Sequence, residues 1–199
     1  MITTAWAFAV LLGIFASNAC GSPGAHINPA VTLAMALMGN TPWDQVPVFV
    51  SAQFIGGFIG AILVYLHYMP HFKATEDGGT KLGVFSTGPA IRDWTNWLGE
   101  IFGTFMLVFS IVGIGKLGNL SDGFGPYLVA MVIWSLGLSL GGTTGYALNP
   151  ARDLAPRIAH FLLPIPAKGD SDWSYAPIPA IGPLIGGGLA ALFVLASGI

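Results

Sequence analysis

Charge is what this 199-residue chain has least of: seven basic and nine acidic residues, 8% in all. Soluble domains carry about a quarter charged residues, so a water-soluble fold is excluded. A net charge of −2 argues against nucleic acid as a partner and against a polybasic membrane-surface role. Cysteine occurs once, at Cys20, which rules out an internal disulfide framework and a cysteine metal site. Its expected role is a small apolar filler near a helix end. No Lys or Arg precedes the apolar residues 2–19, as the first region of a secretory leader requires, so they read as a spanning helix. What is abundant is apolar and small: 54% hydrophobic residues and 28 glycines. Glycine at that level suits helices packed closely in lipid.

Apolar stretches long enough to cross a bilayer, about 20 residues each, lie at 2–20, 46–69, 96–116, 126–143 and 177–199. Two shorter segments, 28–38 and 149–163, cannot span. The longest polar loop runs from Pro70 to Asp93, with shorter ones at 116–125 and 164–177. Each short segment begins with the same tripeptide, Asn28-Pro29-Ala30 and Asn149-Pro150-Ala151. The likeness extends over Gly24–Ala34 and Gly145–Ala155 without gaps, and Gln53–Ala61 resembles Pro183–Ala191. The expected fold is an all-α membrane bundle of two repeats, 1–95 and 96–199. Two full helices precede the second tripeptide and only one precedes the first, so the first helix of repeat one is absent from these residues. An odd number of crossings per repeat makes the second copy run in the opposite sense, an inverted repeat with its site at the bilayer midplane.

Asn-Pro-Ala is a helix start. Asparagine caps by accepting from backbone N–H groups of the first turn, and proline suits the first helical position, where its missing N–H has no partner to lose. Two such starts meeting from opposite faces bring two amide donors and two positive helix ends to the membrane centre. The preceding backbone, Gly24–Ile27 and Gly145–Leu148, is expected to be non-helical, and at membrane depth such backbone survives only against protein or a wet cavity. The carbonyls of Gly24, Ala25, His26, Gly145 and Ala147 are thus candidate acceptors along a pore.

The chain resembles the aquaporin superfamily over its whole length apart from the first helix. Asn149-Pro150-Ala151-Arg152-Asp153 is similar to the signature of the glycerol-facilitator branch, Ser22–Thr32 to the first-loop signature, and Glu100–Phe105 to the opening of the second repeat. The resemblance implies a passive channel for glycerol and other small neutral solutes, and for water, that excludes protons and ions. It also implies no cofactor, a homotetramer with one pore per subunit, and a place in the cell membrane. Four positions carried over by spacing form the expected constriction: Arg152; Tyr146, six residues before it; Gly137, fifteen before it; and Phe8, twenty before Asn28. Glycine at 137 would widen the constriction, Phe8 and Tyr146 would pack a solute's CH groups, and Arg152 would take its hydroxyls and repel cations. Glu100 is expected to hold loop N–H groups, Asp153 to steady its loop, and His26 to brace the first loop by hydrogen bonds. The 70–95 loop carries more Lys and Arg than the 116–125 loop, which by the positive-inside rule would place it in the cytoplasm; the resemblance places it outside.

Protonated lactic acid, dihydroxyacetone and urea match glycerol in size and hydrogen bonding and remain alternative solutes. An ion-coupled transporter also uses inverted repeats, but only Glu100 and Asp153 could serve it at midplane. An intramembrane hydrolase would need a nucleophile beside a base, and no such pair is evident.

Overall fold

The computed structural model describes residues 1–199. Five helices are long and apolar enough to cross a membrane: α1 (Ile2–Ala19), α3 (Val46–His67), α6 (Thr95–Gly115), α7 (Phe124–Thr144) and α9 (Pro177–Ser197). The two half-length helices are α2 (Pro29–Leu37) and α8 (Pro150–Leu162), each opened by its Asn-Pro pair. Gly145, at φ 80°, ends α7 in the left-handed conformation that side-chain-bearing residues avoid.

The segment 70–93, expected to be loop, contains two short helices, α4 (Met69–Ala74) and α5 (Gly78–Phe85). Asp77 caps α5 by accepting from Thr80 N–H at 2.6 Å, a local start signal that a polar composition conceals. Lys81 on α5 is buried and donates to the Pro166 carbonyl. Lys168 donates to the carbonyls of His160, Phe161 and Leu163 at 2.6–2.8 Å, satisfying acceptors that the end of α8 leaves open.

α9 packs along α6 and across the start of α2, α1 packs on α7, and α3 on α8. One core cluster joins the repeats: Val31 and Ala34 of α2 meet Leu107 and Val108 of α6 and Ala190 and Ala191 of α9. Helix crossings exploit the small residues. A methyl group added at Gly187 would lie 2.8 Å from the Ala30 carbonyl oxygen, and one at Gly57 would lie 3.3 Å from that of Ala151. These two glycines occupy matching positions in the sequence repeat, and each presses on the opposite repeat's half-helix. Cys20 is an exposed free thiol rather than a buried filler.

Arg92 joins two loops by donating to Asp172 and Ser174, both at 2.7 Å. Partial burial would raise the Asp172 carboxyl, but bonds from Arg92 and Ser174 outweigh it and hold the group below its ordinary range. A depressed carboxylate stabilises the fold above its unfolded pKa, about 3.9, and that contribution is lost as pH falls through the lower folded value. Because the Arg92 side chain is 53% exposed, Arg92→Ala should cost little stability, as solvent screens such surface pairs. Thermal unfolding of the variant is expected to track the parent closely at neutral pH, with the small difference vanishing as pH falls through the depressed folded value of Asp172.

Candidate functional site

Asn28 and Asn149 cap their helices as their sequence predicts. Asn28 Oδ1 accepts from Ala30 N–H at 2.9 Å; Asn149 Oδ1 accepts from Ala151 and Arg152 N–H at 3.0 and 3.1 Å. The amide nitrogens cross between repeats: Asn28 Nδ2 donates to the Leu148 carbonyl at 2.7 Å, and Asn149 Nδ2 to that of Ile27 at 2.8 Å. The two helix tips therefore abut, each Asn fastened to the loop before the other. Each side-chain amide has two N–H donors, so this tie takes one from each and leaves one for a solute. Pro29, Ala30, Pro150 and Ala151 are buried behind the caps.

The loops before the tips are held by polar contacts within protein. Glu100, fully buried in α6, accepts from Ala147 N–H at 3.0 Å and Leu148 N–H at 2.8 Å. Three residues without glycine's freedom sit at positive φ: Ala25 at 48°, Tyr146 at 39° and Leu148 at 52°. Such backbone costs of order 1–3 kcal/mol per residue and persists only where its surroundings over-determine it. The carbonyls of Gly24, Ala25, Gly145, Tyr146 and Ala147 accept from no protein group, leaving a broken ladder of acceptors. Three others are engaged: Ile27 and Leu148 by the asparagines, and His26 by Gln53 Nε2 at 2.9 Å. Pro23–Ala25 make one tight turn in which Gly24, at φ 76°, and Ala25, at φ 48°, are non-helical. His26 departs from the expected role. Its ring makes no hydrogen bond; it packs 5.0 Å from the Phe49 ring, with Nδ1 buried and unpartnered.

A cavity of about 760 Å³ holds these groups, lined by Asn28, Asn149, Arg152, Tyr146 and both loops. The Arg152 guanidinium carbon lies 4.0 Å from the centre of the Trp6 ring, and its Nη1 donates to the Phe85 carbonyl at 3.4 Å. Trp6, not Phe8, is the aromatic residue of the first repeat that faces Arg152. Phe8 is 50% exposed and does not line this cavity. Trp6 stands two residues further from Asn28 than the spacing carried over from the resemblance, so counting twenty back lands on Phe8. Glycine at 137 does not simply leave space. A methyl group there would lie 2.8 Å from both Tyr146 Cζ and Thr3 Cγ2, and one at Gly141 would lie 2.7 Å from Tyr146 Cδ1. The Tyr146 ring occupies the room that Gly137 and Gly141 provide, so the glycines set how far it stands back from the lumen.

Asp153 points away from the cavity. It accepts from Thr87 N–H and Oγ1, each at 2.7 Å, and from Arg157 Nε at 2.8 Å. Arg157 is itself fully buried and also donates to the carbonyls of Thr87, Ser171 and Asp172 at 2.8–3.0 Å. This pair clasps two loops to α8 directly behind Arg152. Reading the sequence singled out neither Arg157 nor Thr87; the signal was Asp and Arg spaced i, i+4 on one helix.

Two half-helices joined tip to tip within five membrane-length helices, over a cavity flanked by an arginine, define an α-helical membrane channel. Residues 1–194 match the family described as Major intrinsic protein (MIP), and the chain belongs to it. It is a multi-pass membrane protein and not an enzyme. It is 54% identical over 192 residues to a probable glycerol uptake facilitator protein of Thermotoga maritima, covering 96% of this chain and 81% of that one. It is 50% identical over 194 residues to the glycerol uptake facilitator protein of Bacillus subtilis, covering 97% and 70%. Its fold matches the X-ray structure of the aquaglyceroporin from Plasmodium falciparum with a TM-score of 0.84 at 25% identity, over 96% of this chain and 79% of that one.

Proposed function

We propose that this protein is a passive channel of the cell membrane that conducts glycerol, other small neutral solutes and water, and excludes protons and ions. The observation that carries this reading is the crossed pair Asn28–Leu148 and Asn149–Ile27 in a cavity that also contains Arg152. A neutral polyol sheds water beside Trp6, Tyr146 and Arg152. Its CH groups lie on the two rings, and its hydroxyls donate to the free loop carbonyls and accept from Arg152 and the remaining Asn28 and Asn149 N–H groups. A cation meets the guanidinium and two positive helix ends, which form an electrostatic barrier. Apolar lining with a few placed polar groups suits a solute of that two-sided character. No cofactor takes part.

The two repeats, 1–95 and 96–199, and a homotetramer with one pore per subunit belong to the same proposal. Proteoliposomes should re-swell in a glycerol gradient far faster than empty vesicles, and a transmembrane pH step should not decay faster. Glycerol permeability equal to that of empty vesicles would refute the reading. Running lactic acid at low pH, dihydroxyacetone and urea alongside ranks the solutes. Uptake abolished by dissipating a proton gradient would point instead to a coupled transporter.

A further inference from the structure

The cavity that holds Arg152 has a second mouth, far from that residue. Along α1, Trp6 marks the Arg152 end, and Asn18 lines the same cavity twelve residues further on, about 18 Å at the rise of an α-helix. Lys116, which closes α6, and Asn40, just past the end of α2, also line it. The loop after Lys116 leads to the start of α7, where a methyl group at Gly123 would lie 3.9 Å from the Phe15 ring of α1. The end of α1, the end of α6 and the start of α7 therefore share this mouth.

No Asp or Glu lines the cavity; its two permanent charges are Arg152 at one end and Lys116 at the other. Lys81 and Lys168 are tied to carbonyls. Lys116 is exposed and takes part in neither ion pair of the protein, Arg92–Asp172 or Arg157–Asp153. Asp122, in the loop that follows, does not line the cavity. The Asn40 amide meets only the Met35 sulfur, at 3.8 Å, and the Asn18 amide is exposed. Inward from the mouth the wall turns apolar, with Val10, Ile14, Leu107 and Ile111. An anion drawn to Lys116 would shed its water there with no donor to replace it, so it stops at the mouth while a neutral polyol goes on.

We propose that Lys116, with the amides of Asn18 and Asn40, binds the anionic group of a polyol derivative, a phosphate monoester or a carboxylate, whose polyol end enters the lumen and blocks it. The mouth selects the charge and the lumen selects the tail, so a molecule carrying both matches this whole stretch of wall. A reaction that attaches such a group to the conducted solute, by phosphoryl transfer or by oxidation of a terminal carbon, then yields a product that slows further conduction. The attraction is focused by the apolar walls but screened at an open mouth, which sets the affinity in the millimolar range. The inference rests on the channel reading for the polyol end and on Lys116 for the anionic end.

Glycerol flux into proteoliposomes is measured with glycerol phosphate, glycerate or inorganic phosphate present at equal concentration on both faces, each variant being compared with its own uninhibited flux. Glycerol phosphate and glycerate should inhibit at millimolar concentration, and inorganic phosphate much less. Lys116→Gln should weaken the inhibition about three- to fivefold, the size of one screened ion pair. Lys116→Arg should keep it, and Lys73→Gln, at an exposed lysine of α4, should leave it unchanged. Raising KCl to about 0.5 M should relieve it, since exposed charges are then screened within a few ångströms. Absence of inhibition, or inhibition indifferent to Lys116→Gln, would overturn the proposal; equal inhibition by inorganic phosphate would overturn the placement of the polyol end in the lumen. Phosphorus NMR reads the site without flux: the parent should broaden the glycerol phosphate signal more than Lys116→Gln does. Vesicles that conduct no glycerol yet show that difference would refute the channel reading and leave the anion site standing.

Discussion

Replacing Arg157 with leucine should destabilise the protein by about 3–5 kcal/mol, the range for removing one partner of a buried ion pair. Arg157 and Asp153 are both fully buried, with their contact at 2.8 Å. The variant strands the Asp153 carboxylate with only Thr87 as a donor and leaves the Ser171, Asp172 and Thr87 carbonyls without the guanidinium. A buried charge without its counter-charge bears its full desolvation cost. Thermal unfolding in detergent measures the loss. The double variant Asp153→Leu, Arg157→Leu should recover part of it, because no charge is then stranded. A single variant as stable as the parent would mean that water reaches this cluster. The clasp also lies next to Phe85, whose carbonyl accepts from Arg152, so whatever protein does fold should discriminate less well between glycerol and larger polyols.

Gly137→His is expected to reduce glycerol permeability strongly while retaining water permeability. Even a methyl group at 137 would lie 2.8 Å from the Tyr146 ring, so a side chain there drives that ring toward the lumen. Over-packing of this kind costs about 1–3 kcal/mol. If that cost is met while the solute crosses the constriction, the rate falls about ten- to hundredfold. Gly137→Ala should produce a milder version of the same selectivity, since its methyl needs only a small shift of Tyr146 or Thr3. Stopped-flow light scattering on proteoliposomes separates the two permeabilities. Equal losses of glycerol and water flux would show that residue 137 acts on folding and not through the constriction.

Much of the architecture was legible because it is written locally. Length and apolarity gave the five spanning helices, and Asn-Pro at two places gave the starts of the half-helices, since capping and the tolerance of proline at a first turn depend on nearest neighbours. The matching glycines Gly57 and Gly187 indicated a repeat before either was seen against the opposite half-helix. The aromatic of the constriction was harder to assign. Trp6 and Phe8 are two residues apart, about 200° around a helix, so a shift of two residues exchanges the pore face for the lipid face. Which of the two faces the pore depends on how α1 is rotated where it packs on α7. The segment 70–93 was read as loop because its polar composition hides Asp77 as a cap and Lys81 as a buried tether.

By itself the sequence determined that this is a membrane protein with two half-helices of opposite sense, and which residues begin them. Those properties follow from composition and from interactions within a single turn of chain. Only the tertiary structure decided that each asparagine is tied to the other repeat, that Trp6 and not Phe8 faces Arg152, that Tyr146 fills the room left by Gly137, and that Arg157 holds Asp153. Each of these joins residues distant in the chain or depends on helix rotation, and close packing sets both.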